Sequence, residues 1–284
     1  MVLVTGATGR VGRQVVAQLV DRGVGARAVT RDLAVANLPA AVDVVRGDLA
    51  EPRSLEPHLQ GVESVFLLWP FTSPAAAAEL APGLVEVLAR HVRRIVYLSA
   101  AAAAGQQDSL WAAMERLIQA SGAAWTFLRP TGFAANTLMW ADQIRAGSVV
   151  RWPYGAATRS LIHEHDIAAV AVRALVDDRH TGMKYLLTGP EAITQAEQVR
   201  IIGEAMGREV RWEELAPDAA RQQLLSAWGD PGFVDSALAS WAILVTRPEP
   251  VTATVAEVTG VPARTFDQWV LDHRDDFRPG SRGS

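Results

Sequence analysis

The stretch MVLVTGATGRVG, residues 1–12, decides the fold of this chain of 284 residues. Val2, Leu3 and Val4 form a short apolar run, and three glycines follow at positions 6, 9 and 12. From Val11 onwards, apolar residues recur at helical spacing, which indicates an α-helix. The stretch therefore predicts a β-strand, a glycine-rich turn and a helix in immediate succession.

Each glycine of this GxxGxxG pattern meets a separate physical demand. The first allows a tight turn, the second lets the backbone approach a pyrophosphate, and the third lets the helix pack close to the sheet. Free N–H groups and the helix dipole at the start of the helix attract phosphates. The pattern therefore predicts a dinucleotide site with phosphate contacts from Gly6, Thr8, Gly9, Arg10, Val11 and Gly12.

Short apolar runs alternate with helical patterns along the chain, which is typical of a parallel sheet with helices on both faces. We expect strands at 2–4, 26–30, 42–45, 62–68, 94–99, 125–128 and 185–187. The expected fold class is α/β, a Rossmann-type doubly wound parallel sheet with a smaller, mostly helical C-terminal domain. The predicted Rossmann domain comprises 1–135 and 155–185, a small substrate-side domain comprises 136–154 and 186–278, and 279–284 form a flexible tail.

Composition excludes several functions. Hydrophobic residues make up 49% of the chain, enough for a sizeable core. The net charge of −4, without a basic block, argues against a nucleic-acid surface. The absence of cysteine excludes disulfides, thiolate catalysis and Cys-ligated zinc. With no secretory signal pattern and no apolar stretch near the roughly 20 residues that span a membrane, we expect a cytoplasmic monomer or homodimer without a membrane partner.

The end of the second strand favours NADP(H) over NAD(H) as the cofactor. An NAD site places an acidic residue there for the ribose 2′-hydroxyl, whereas Arg31 stands first in the loop of this chain. Its guanidinium suits a 2′-phosphate, and Arg10 is placed to assist. Asp32 is the competing residue, since it would bind a 2′-hydroxyl if the loop turned differently. After the third strand, Asp48 and Leu49 are placed to cover the adenine.

Seven stretches together carry a resemblance to a known family. They are VTGATGRVG at 4–12, RGDL at 46–49, FLLWP at 66–70, YLSAAAA at 97–103, ERLIQASGAAWTFLRPTGFAAN at 115–136, IHEHDIAAVAVRAL at 162–175 and YLLTGPEAITQAE at 185–197. With them the chain resembles the NmrA-like group of atypical short-chain dehydrogenases/reductases. That group includes NAD(P)H:quinone reductases and redox-sensing regulators.

The resemblance implies further cofactor contacts at the carboxyl ends of three strands. Those after the fourth strand would line the diphosphate and the nicotinamide ribose, those after the fifth would flank the nicotinamide, and those after the sixth would close over it. In the same order, they are Leu68, Trp69 and Pro70; Ser99 and Ala100; and Phe133 and Asn136.

The chain departs from the wider superfamily at its proton relay. Most members use a Tyr-xxx-Lys pair, in which lysine lowers the tyrosine pKa so that the phenol donates a proton. Alignment through Glu115 places Gln107 at the tyrosine position and Trp111 at the lysine position, and the single lysine of the chain is Lys184. We therefore expect the standard relay to be absent.

Candidate catalytic and substrate-pocket residues lie after residue 135, with the exception of Trp111. Tyr154 is a candidate proton donor, although tyrosine more often simply buries its ring. His163 is a second candidate; together with His165 it resembles a pair of metal ligands, but no third ligand is suggested and we predict no metal site. Tryptophans at 111, 140 and 152 are candidates for an apolar substrate pocket, against the alternative that each packs in the core. The basic cluster at 90–94 is interpreted as a solvated helix end.

These observations favour an NADPH-dependent reductase that acts on a small apolar acceptor such as a quinone or an enone. Quinone reduction suits the missing pair, because hydride passes directly to the acceptor and protons come from solvent. Two alternatives stay open from the sequence. One is a non-catalytic regulatory protein that senses NADP(H), and the other is a non-redox biosynthetic enzyme on the same fold.

Overall fold

The computed structural model describes residues 1–34, 36–71 and 73–278, so the predicted tail at 279–284 lies outside the described residues. The strands of this described part are β1 (Val2–Val4), β2 (Ala26–Thr30), β3 (Asp43–Arg46), β4 (Ser64–Leu68), β5 (Arg94–Leu98), β6 (Ala124–Pro130), β7 (Val149–Trp152), β8 (Thr158–Arg159), β9 (Lys184–Leu187), β10 (Ile193–Thr194) and β11 (Arg211–Glu214).

The α-helices of the described residues are α1 (Arg10–Asp21), α2 (Pro74–His91), α3 (Ala102–Gly105), α4 (Leu110–Ala120), α5 (Ala141–Ala146), α6 (Glu164–Val176), α7 (Gln195–Ala205), α8 (Pro217–Trp228), α9 (Pro231–Thr246), α10 (Thr254–Thr259) and α11 (Phe266–His273). Short 3₁₀ helices cover Pro52–His58, Ala134–Trp140, Asp178–His180 and Arg274–Phe277. None of the described helices is long and apolar enough to cross a membrane.

Seven strands form one parallel sheet in the order β3-β2-β1-β4-β5-β6-β9. The order reverses at β1, which has β2 on one side and β4 on the other. Right-handed crossovers on the two sides of β1 therefore place their helices on opposite faces of the sheet. Helices α1 and α6 pack against each other, and α2 packs against α4, which gives the two helical layers. The expected Rossmann-type doubly wound fold is confirmed.

Burial along the sheet follows the position of each strand. The residues of β5 are all buried and those of β4 nearly so, whereas the edge strand β3 is half exposed. A central strand of a parallel sheet is covered on both faces, which explains the continuous apolar run at Val65–Leu67. Each fully buried aliphatic side chain of this kind contributes about 1.5–3 kcal/mol.

The chain divides into two compact units. The first comprises Met1–Thr131, Glu164–Leu187 and Ala253–Pro262, and the second comprises Gly132–His163, Thr188–Thr252 and the chain from Ala263 onwards. Four segments lie on the other side of the predicted limits, of which the two shortest are 132–135, in the second unit, and 186–187, in the first. Residues 155–163 belong to the second unit, where β8 pairs with β10. Residues 253–262 belong to the first, because α10 packs on α6 and β9.

The second unit is mostly helical and contains two small sheets. β8 and β10 pair antiparallel, and β7 and β11 pair parallel. Helices α7 and α11 pack together, as do α8 and α9. Its core is rich in aromatic side chains, among them Trp140, Trp152, Trp241, Phe266 and Trp269. The role of this unit in binding the substrate stays a prediction.

Candidate cofactor site

The glycine loop has the close packing that its sequence predicts. Gly6 adopts a φ of 61°, a left-handed conformation that favours glycine, and its carbonyl oxygen accepts a hydrogen bond from the Gly9 N–H at 2.9 Å. A β-carbon at Gly12 would lie 2.0 Å from that same oxygen, and one at Gly9 would lie 3.2 Å from it. A side chain at position 12 is therefore sterically excluded.

The start of α1 is free to bind an anion. The helix begins at Arg10, and its N-cap residue, Gly9, has no side chain to accept a hydrogen bond from the first turn. The backbone N–H groups of a first helical turn have no intrahelical partner, and they carry the positive end of the helix dipole. The loop thus fits the pyrophosphate of a dinucleotide. Val11 is buried, so only its backbone is available for this contact.

Thr5 holds the loop against the neighbouring strand. Its hydroxyl oxygen accepts the Leu68 N–H at 2.8 Å, and the hydroxyl lies 3.1 Å from the Phe66 carbonyl oxygen, to which it donates. This side chain fixes the end of β1 to the end of β4 and places Leu68 directly beside Gly6. The sequence analysis missed Thr5, because a threonine at a strand end carries no signal of its own.

A cavity of about 420 Å³ opens at the carboxyl ends of the first four strands. This volume lies within the range of small-molecule sites. All its lining residues belong to the first unit. The predicted cofactor residues in the lining are Gly6, Thr8, Arg31, Asp48, Leu49 and Pro70. The other lining residues are Asp32, which competes with Arg31 for the ribose, and Thr5, Val29, Thr30, Gly47 and Phe71.

The two acidic residues of this cavity make hydrogen bonds within their own loops. Asp32 Oδ1 accepts the Ala34 N–H at 2.9 Å, and Asp48 Oδ1 accepts the Ala50 N–H at the same distance. The backbone N–H of Asp32 is held in turn by the Thr30 hydroxyl at 3.2 Å. The loop geometry therefore engages one oxygen of the Asp32 carboxylate and leaves the exposed Arg31 guanidinium as the cationic group of the cavity.

A buried charged network lies behind the fifth strand. Ser99 Oγ lies 2.6 Å from Glu115 Oε1, and Arg129 Nε lies 2.9 Å from the same oxygen, while Arg129 Nη2 contacts Oε2 at 2.5 Å. Ser99 and Glu115 are both buried. Because a carboxylate only accepts hydrogen bonds, the Ser99 hydroxyl must donate here, and its lone pairs face away from the carboxylate. The sequence identified Ser99 but missed the two residues that hold it.

Tyr97 contributes no proton chemistry at this place. Burial raises the pKa of its phenol above the usual value, and the nearby Glu115 carboxylate raises it further. Its hydroxyl has no hydrogen-bond partner among the described residues. The tyrosine is therefore a neutral core side chain, packed edge-on against Phe127.

The remaining predicted residues of the first unit border its core. Trp69 packs edge-on against Phe71, with ring centroids 4.8 Å apart, and so supports a wall of the cavity. Trp111, which stands where the wider superfamily has its lysine, is half-buried on α4 and packs against the same hydrophobic core cluster as Trp69 and Phe71. Arg10 is exposed at the start of α1, and Ala100 is half-buried directly after Ser99.

A comparison with protein families decides the assignment. The model of one family, described as NAD(P)H-binding, matches residues 6–178. The chain belongs to the NAD(P)H-binding family. The matched region contains the glycine loop and every residue that lines the 420 Å³ cavity, apart from Thr5, which immediately precedes it.

Curated relatives of this NAD(P)H-binding protein are named as reductases. A Streptomyces griseus protein, (4-alkanoyl-5-oxo-2,5-dihydrofuran-3-yl)methyl phosphate reductase, is 38% identical over 98% of this chain and 100% of its own length. The NAD(P)H azoreductase of Xenophilus azovorans is 34% identical over 98% of this chain and 99% of its own. The resemblance to the NmrA-like group of atypical short-chain dehydrogenases/reductases is confirmed.

A solved structure shares the fold. The NADPH complex of an NADPH-dependent quinone oxidoreductase from Escherichia coli has a TM-score of 0.81, with 23% sequence identity. The match covers 96% of this chain and 99% of that chain. Membership of the NAD(P)H-binding family, rather than this likeness of fold, gives NAD(P)H as the cofactor of the chain.

Tyr154 has an unusual backbone in the second unit. Its φ of 59° is the one positive value among the described non-glycine residues. The Glu214 carboxylate holds this loop by accepting the N–H of Tyr154 at 2.5 Å and that of Gly155 at 2.9 Å. Trp212 Nε1 donates to the same carboxylate at 2.8 Å. A tyrosine kept in this conformation costs of order 1–3 kcal/mol, and such strain is concentrated at functional sites.

His163 has a structural environment. Its side chain is buried, its Nε2 lies 3.3 Å from Asp272 Oδ2, and its ring lies beside that of His273 at 6.2 Å. These contacts anchor α11 within the second unit, and they favour packing over catalysis. No group of three or more potential metal ligands occurs in the described part of the chain.

Two predicted pocket tryptophans are core residues. Trp140 and Trp152 are 1% and 4% exposed, and their rings pack edge-on with centroids 6.4 Å apart. Trp212 and Trp241 extend the cluster. The aromatic core of this unit accounts for their burial, and their role in a substrate pocket stays a prediction. Phe133 pairs with Ile162 in an isolated bridge, and Asn136 is exposed in the following 3₁₀ helix; their contact with the nicotinamide stays a prediction.

Proposed function

We propose that this protein is an NADPH-dependent reductase that transfers hydride to a small apolar acceptor, a conjugated and electron-poor double bond as in a quinone or an enone. Its broader class, NAD(P)H-dependent oxidoreductase, follows from its family and its reductase relatives. The observation that carries the proposal is the cavity at the carboxyl ends of β1 and its neighbouring strands. Arg31 lines this cavity, and so does Gly6 of the glycine loop, whose close packing leaves no room for a side chain at position 12.

The preference for NADPH rests on a difference between Asp32 and Arg31, since only the Asp32 side chain hydrogen-bonds to another described residue. The Asp32 carboxylate stabilises its own loop through the Ala34 N–H. The exposed Arg31 side chain makes no hydrogen bond or ion pair with another residue of the described part of the chain. A guanidinium binds a phosphate through two parallel hydrogen bonds, so a 2′-phosphate is the ligand that Arg31 fits.

The acceptor class follows from what the relatives are named for. The Streptomyces griseus name describes a ring alkene conjugated to two carbonyl groups, an azoreductase acts on an N=N bond, and the Escherichia coli protein is a quinone oxidoreductase. All three groups are conjugated double bonds that accept a hydride readily. We transfer this shared chemistry, rather than any one of the three substrates, to the present chain.

The proposed reaction needs no Tyr-xxx-Lys pair. When bound, a reduced nicotinamide supplies a hydride with both bonding electrons. The acceptor takes up this hydride at one end of its double bond and one proton from solvent at the other, so atoms and charge balance. The contribution of the chain is to orient the two reactants and exclude water. In this scheme Ser99 would flank the bound nicotinamide, and its hydroxyl, which donates to Glu115, would be left to act as a hydrogen-bond acceptor there.

Of the two candidate catalytic residues, we retain Tyr154 as a contact for the acceptor and assign His163 to packing. The strained backbone of Tyr154 and its clamp by Glu214 support this choice. Replacing Tyr154 with Phe is expected to raise the acceptor KM several-fold, with kcat within about threefold, because protons come from solvent. A selective loss of kcat by two orders of magnitude would identify it instead as the proton donor.

The experiment that tests the proposed function measures loss of the near-ultraviolet absorbance of NADPH with three acceptors, a benzoquinone, a cyclic enone and an azo dye. Turnover that depends on an acceptor, with NADPH preferred to NADH, supports the proposal. Tight binding of NADPH without turnover on any of the three acceptors overturns it and favours an NADP(H)-sensing protein or a non-redox enzyme.

A further inference from the structure

A second cavity, of about 310 Å³, adjoins the dinucleotide cavity. The two share Arg31, Gly47 and Asp48, and the second is lined in addition by Arg46, Glu51 and Ser54. All these residues belong to the first unit. The cavity extends the candidate dinucleotide site beyond Arg31, the residue that the sequence assigns to a 2′-phosphate.

Arg46 and Arg31 stand at the ends of neighbouring strands. Arg46 is the last residue of β3, and its register partner is Thr30, the last residue of β2. Adjacent strands lie about 4.8 Å apart, and Arg31 directly follows Thr30 along the chain. Both residues therefore stand at the carboxyl edge of the sheet on adjacent strands, and both line the second cavity.

Both guanidiniums are available for an anion. Arg31 and Arg46 are exposed, and neither side chain makes an ion pair or hydrogen bond with another described residue. Other arginines of the first unit do: Arg27 pairs with Asp43 at 2.6 Å, and Arg129 is bound to Glu115. Two adjacent cations without a carboxylate partner repel each other unless a solvent ion or a ligand lies between them.

Three carboxylates also line the two cavities, and they differ in the hydrogen bonds that they accept. Asp32 and Asp48 each accept a backbone N–H two residues further along, so their charge is partly neutralised by their own turns. Glu51 lines the second cavity and makes no side-chain contact with a described residue. It is thus the group that opposes an anion between the two arginines.

We propose that Arg46 determines cofactor specificity by forming, with Arg31, a clamp for the phosphate monoester on the 2′-oxygen of the dinucleotide. The inference rests on the proposed use of NADPH and adds a residue that lies outside the loop after the second strand. A terminal phosphate offers three oxygens, enough for two guanidiniums that each use two N–H groups. The clamp explains why an arginine ends an edge strand beside the dinucleotide cavity.

The test uses two ligands that differ by this phosphate alone and undergo no redox reaction, adenosine 2′,5′-bisphosphate and adenosine 5′-phosphate. Dissociation constants are measured by calorimetry for the intact chain and for the variants Arg31→Ala, Arg46→Ala and Arg46→Lys. Arg53→Ala is the matched control, because Arg53 is an exposed arginine of the adjacent 3₁₀ helix that lines neither cavity.

The clamp predicts that Arg46→Ala weakens binding of the bisphosphate by about 10-fold or more, the effect of a hydrogen bond to a charged group, while binding of the monophosphate is unchanged. Arg46→Lys is expected to lose less, since it keeps the charge but not the planar fork. Glu51→Gln should strengthen binding of the bisphosphate, because it removes the opposing charge. Arg53→Ala should change neither dissociation constant more than twofold.

Three results would each overturn the clamp. Arg46→Ala could weaken the binding of both ligands equally, it could weaken the binding of neither, or the intact chain could bind the two ligands with equal affinity. Circular dichroism of the variants separates a binding effect from misfolding. The acceptor assays report on the proposed function independently. If the protein reduces an acceptor but Arg46→Ala keeps full affinity for the bisphosphate, the proposed function holds and the clamp is wrong. If Arg46→Ala selectively weakens bisphosphate binding but no acceptor is turned over, the clamp holds and the proposed function is wrong.

Discussion

A β-carbon at Gly12 would lie 2.0 Å from the carbonyl oxygen of Gly6 and 2.6 Å from its carbonyl carbon. The helix start and the turn before it are thus in direct backbone contact, and this contact shapes the candidate phosphate site. Because both groups belong to the backbone, no rotamer change relieves a side chain placed there.

Gly12→Ala is expected to displace α1 from the loop, to lower the stability of the fold by about 1–3 kcal/mol, and to weaken NADPH binding at least 10-fold. Calorimetric titration and thermal unfolding measure the two effects. Gly25→Ala is the control, since a β-carbon there would meet its nearest atom only at 4.0 Å. Wild-type affinity in Gly12→Ala would mean that the loop is not the phosphate site.

Glu115→Gln tests the buried network around Ser99. The substitution keeps the shape of the side chain but removes the charge that pairs with Arg129, and breaking a buried ion pair typically costs about 3–5 kcal/mol. Urea unfolding measures this loss. Glu86→Gln is the matched control, because Glu86 forms an exposed pair with Arg90 in the same unit, and such pairs contribute about 0–1 kcal/mol. Similar losses in the two variants would show that burial gives the network no special role.

Tyr97 links stability to alkaline pH. Because burial and Glu115 raise its pKa in the folded state, the unfolded chain loses the phenol proton at a lower pH, near 10, than the folded protein does. Its contribution to stability is therefore complete below about pH 10 and declines as pH rises towards the folded value. The single lysine of the chain leaves the tyrosines as the main titrating groups in this range.

Tyr97→Phe is expected to flatten this decline without loss of stability at neutral pH, since the hydroxyl has no partner among the described residues. Tyr185→Phe is the comparison, because the Tyr185 hydroxyl lies 2.8 Å from His180 Nδ1 and its removal should cost about 1 kcal/mol. Denaturant unfolding between neutral pH and pH ~11 measures both. A large neutral-pH loss in Tyr97→Phe would show that the hydroxyl is bonded.

Glu214→Ala tests the clamp on Tyr154. The variant removes the acceptor of two backbone N–H groups and of the Trp212 indole N–H, and we expect a loss of about 1–3 kcal/mol in thermal unfolding. Glu213→Ala is the control on the adjacent residue, whose carboxylate pairs with Arg151 on the surface. If both variants unfold alike, Glu214 does not hold the strained loop.

The sequence predicts the features that depend on neighbouring residues. The turn at Gly6 and the helix from Arg10 follow from local spacing, and so do most strands of the sheet, because buried parallel strands require continuous apolar runs. The fold class and the phosphate loop could therefore be derived before the structure was known.

Features that depend on distant contacts could not be predicted. Arg94, interpreted as part of a solvated helix end, is buried and donates to the carbonyls of Ala174 and Leu175, about 80 residues away. β11 lies in the domain that the sequence predicts as mostly helical, but it pairs with β7. The packing of Trp140 and Trp152 in an aromatic core is a further example, because an apolar side chain gives the same sequence signal in a pocket and in a core.

Helix capping shows the same limit at short range. The spacing of Thr194 and Glu197 is that of a capping box, and Thr194 accepts the Glu197 N–H at 3.1 Å, but the Glu197 carboxylate binds Arg200. The complete reciprocal capping box occurs at Thr265 and Gln268 instead. Competition between nearby partners decides such pairs, and the spacing alone does not show which partner wins.

The central claim, hydride transfer from NADPH to a conjugated acceptor, is tested most directly by an isotope label. The protein is incubated with a cyclic enone and NADPH deuterated on one face or the other of nicotinamide C4, and the product is analysed by mass spectrometry. The account predicts one deuterium at the β-carbon of the product from one of the two labelled cofactors, and none from the other. A product without deuterium from either cofactor, or no product although NADPH binds, would contradict it.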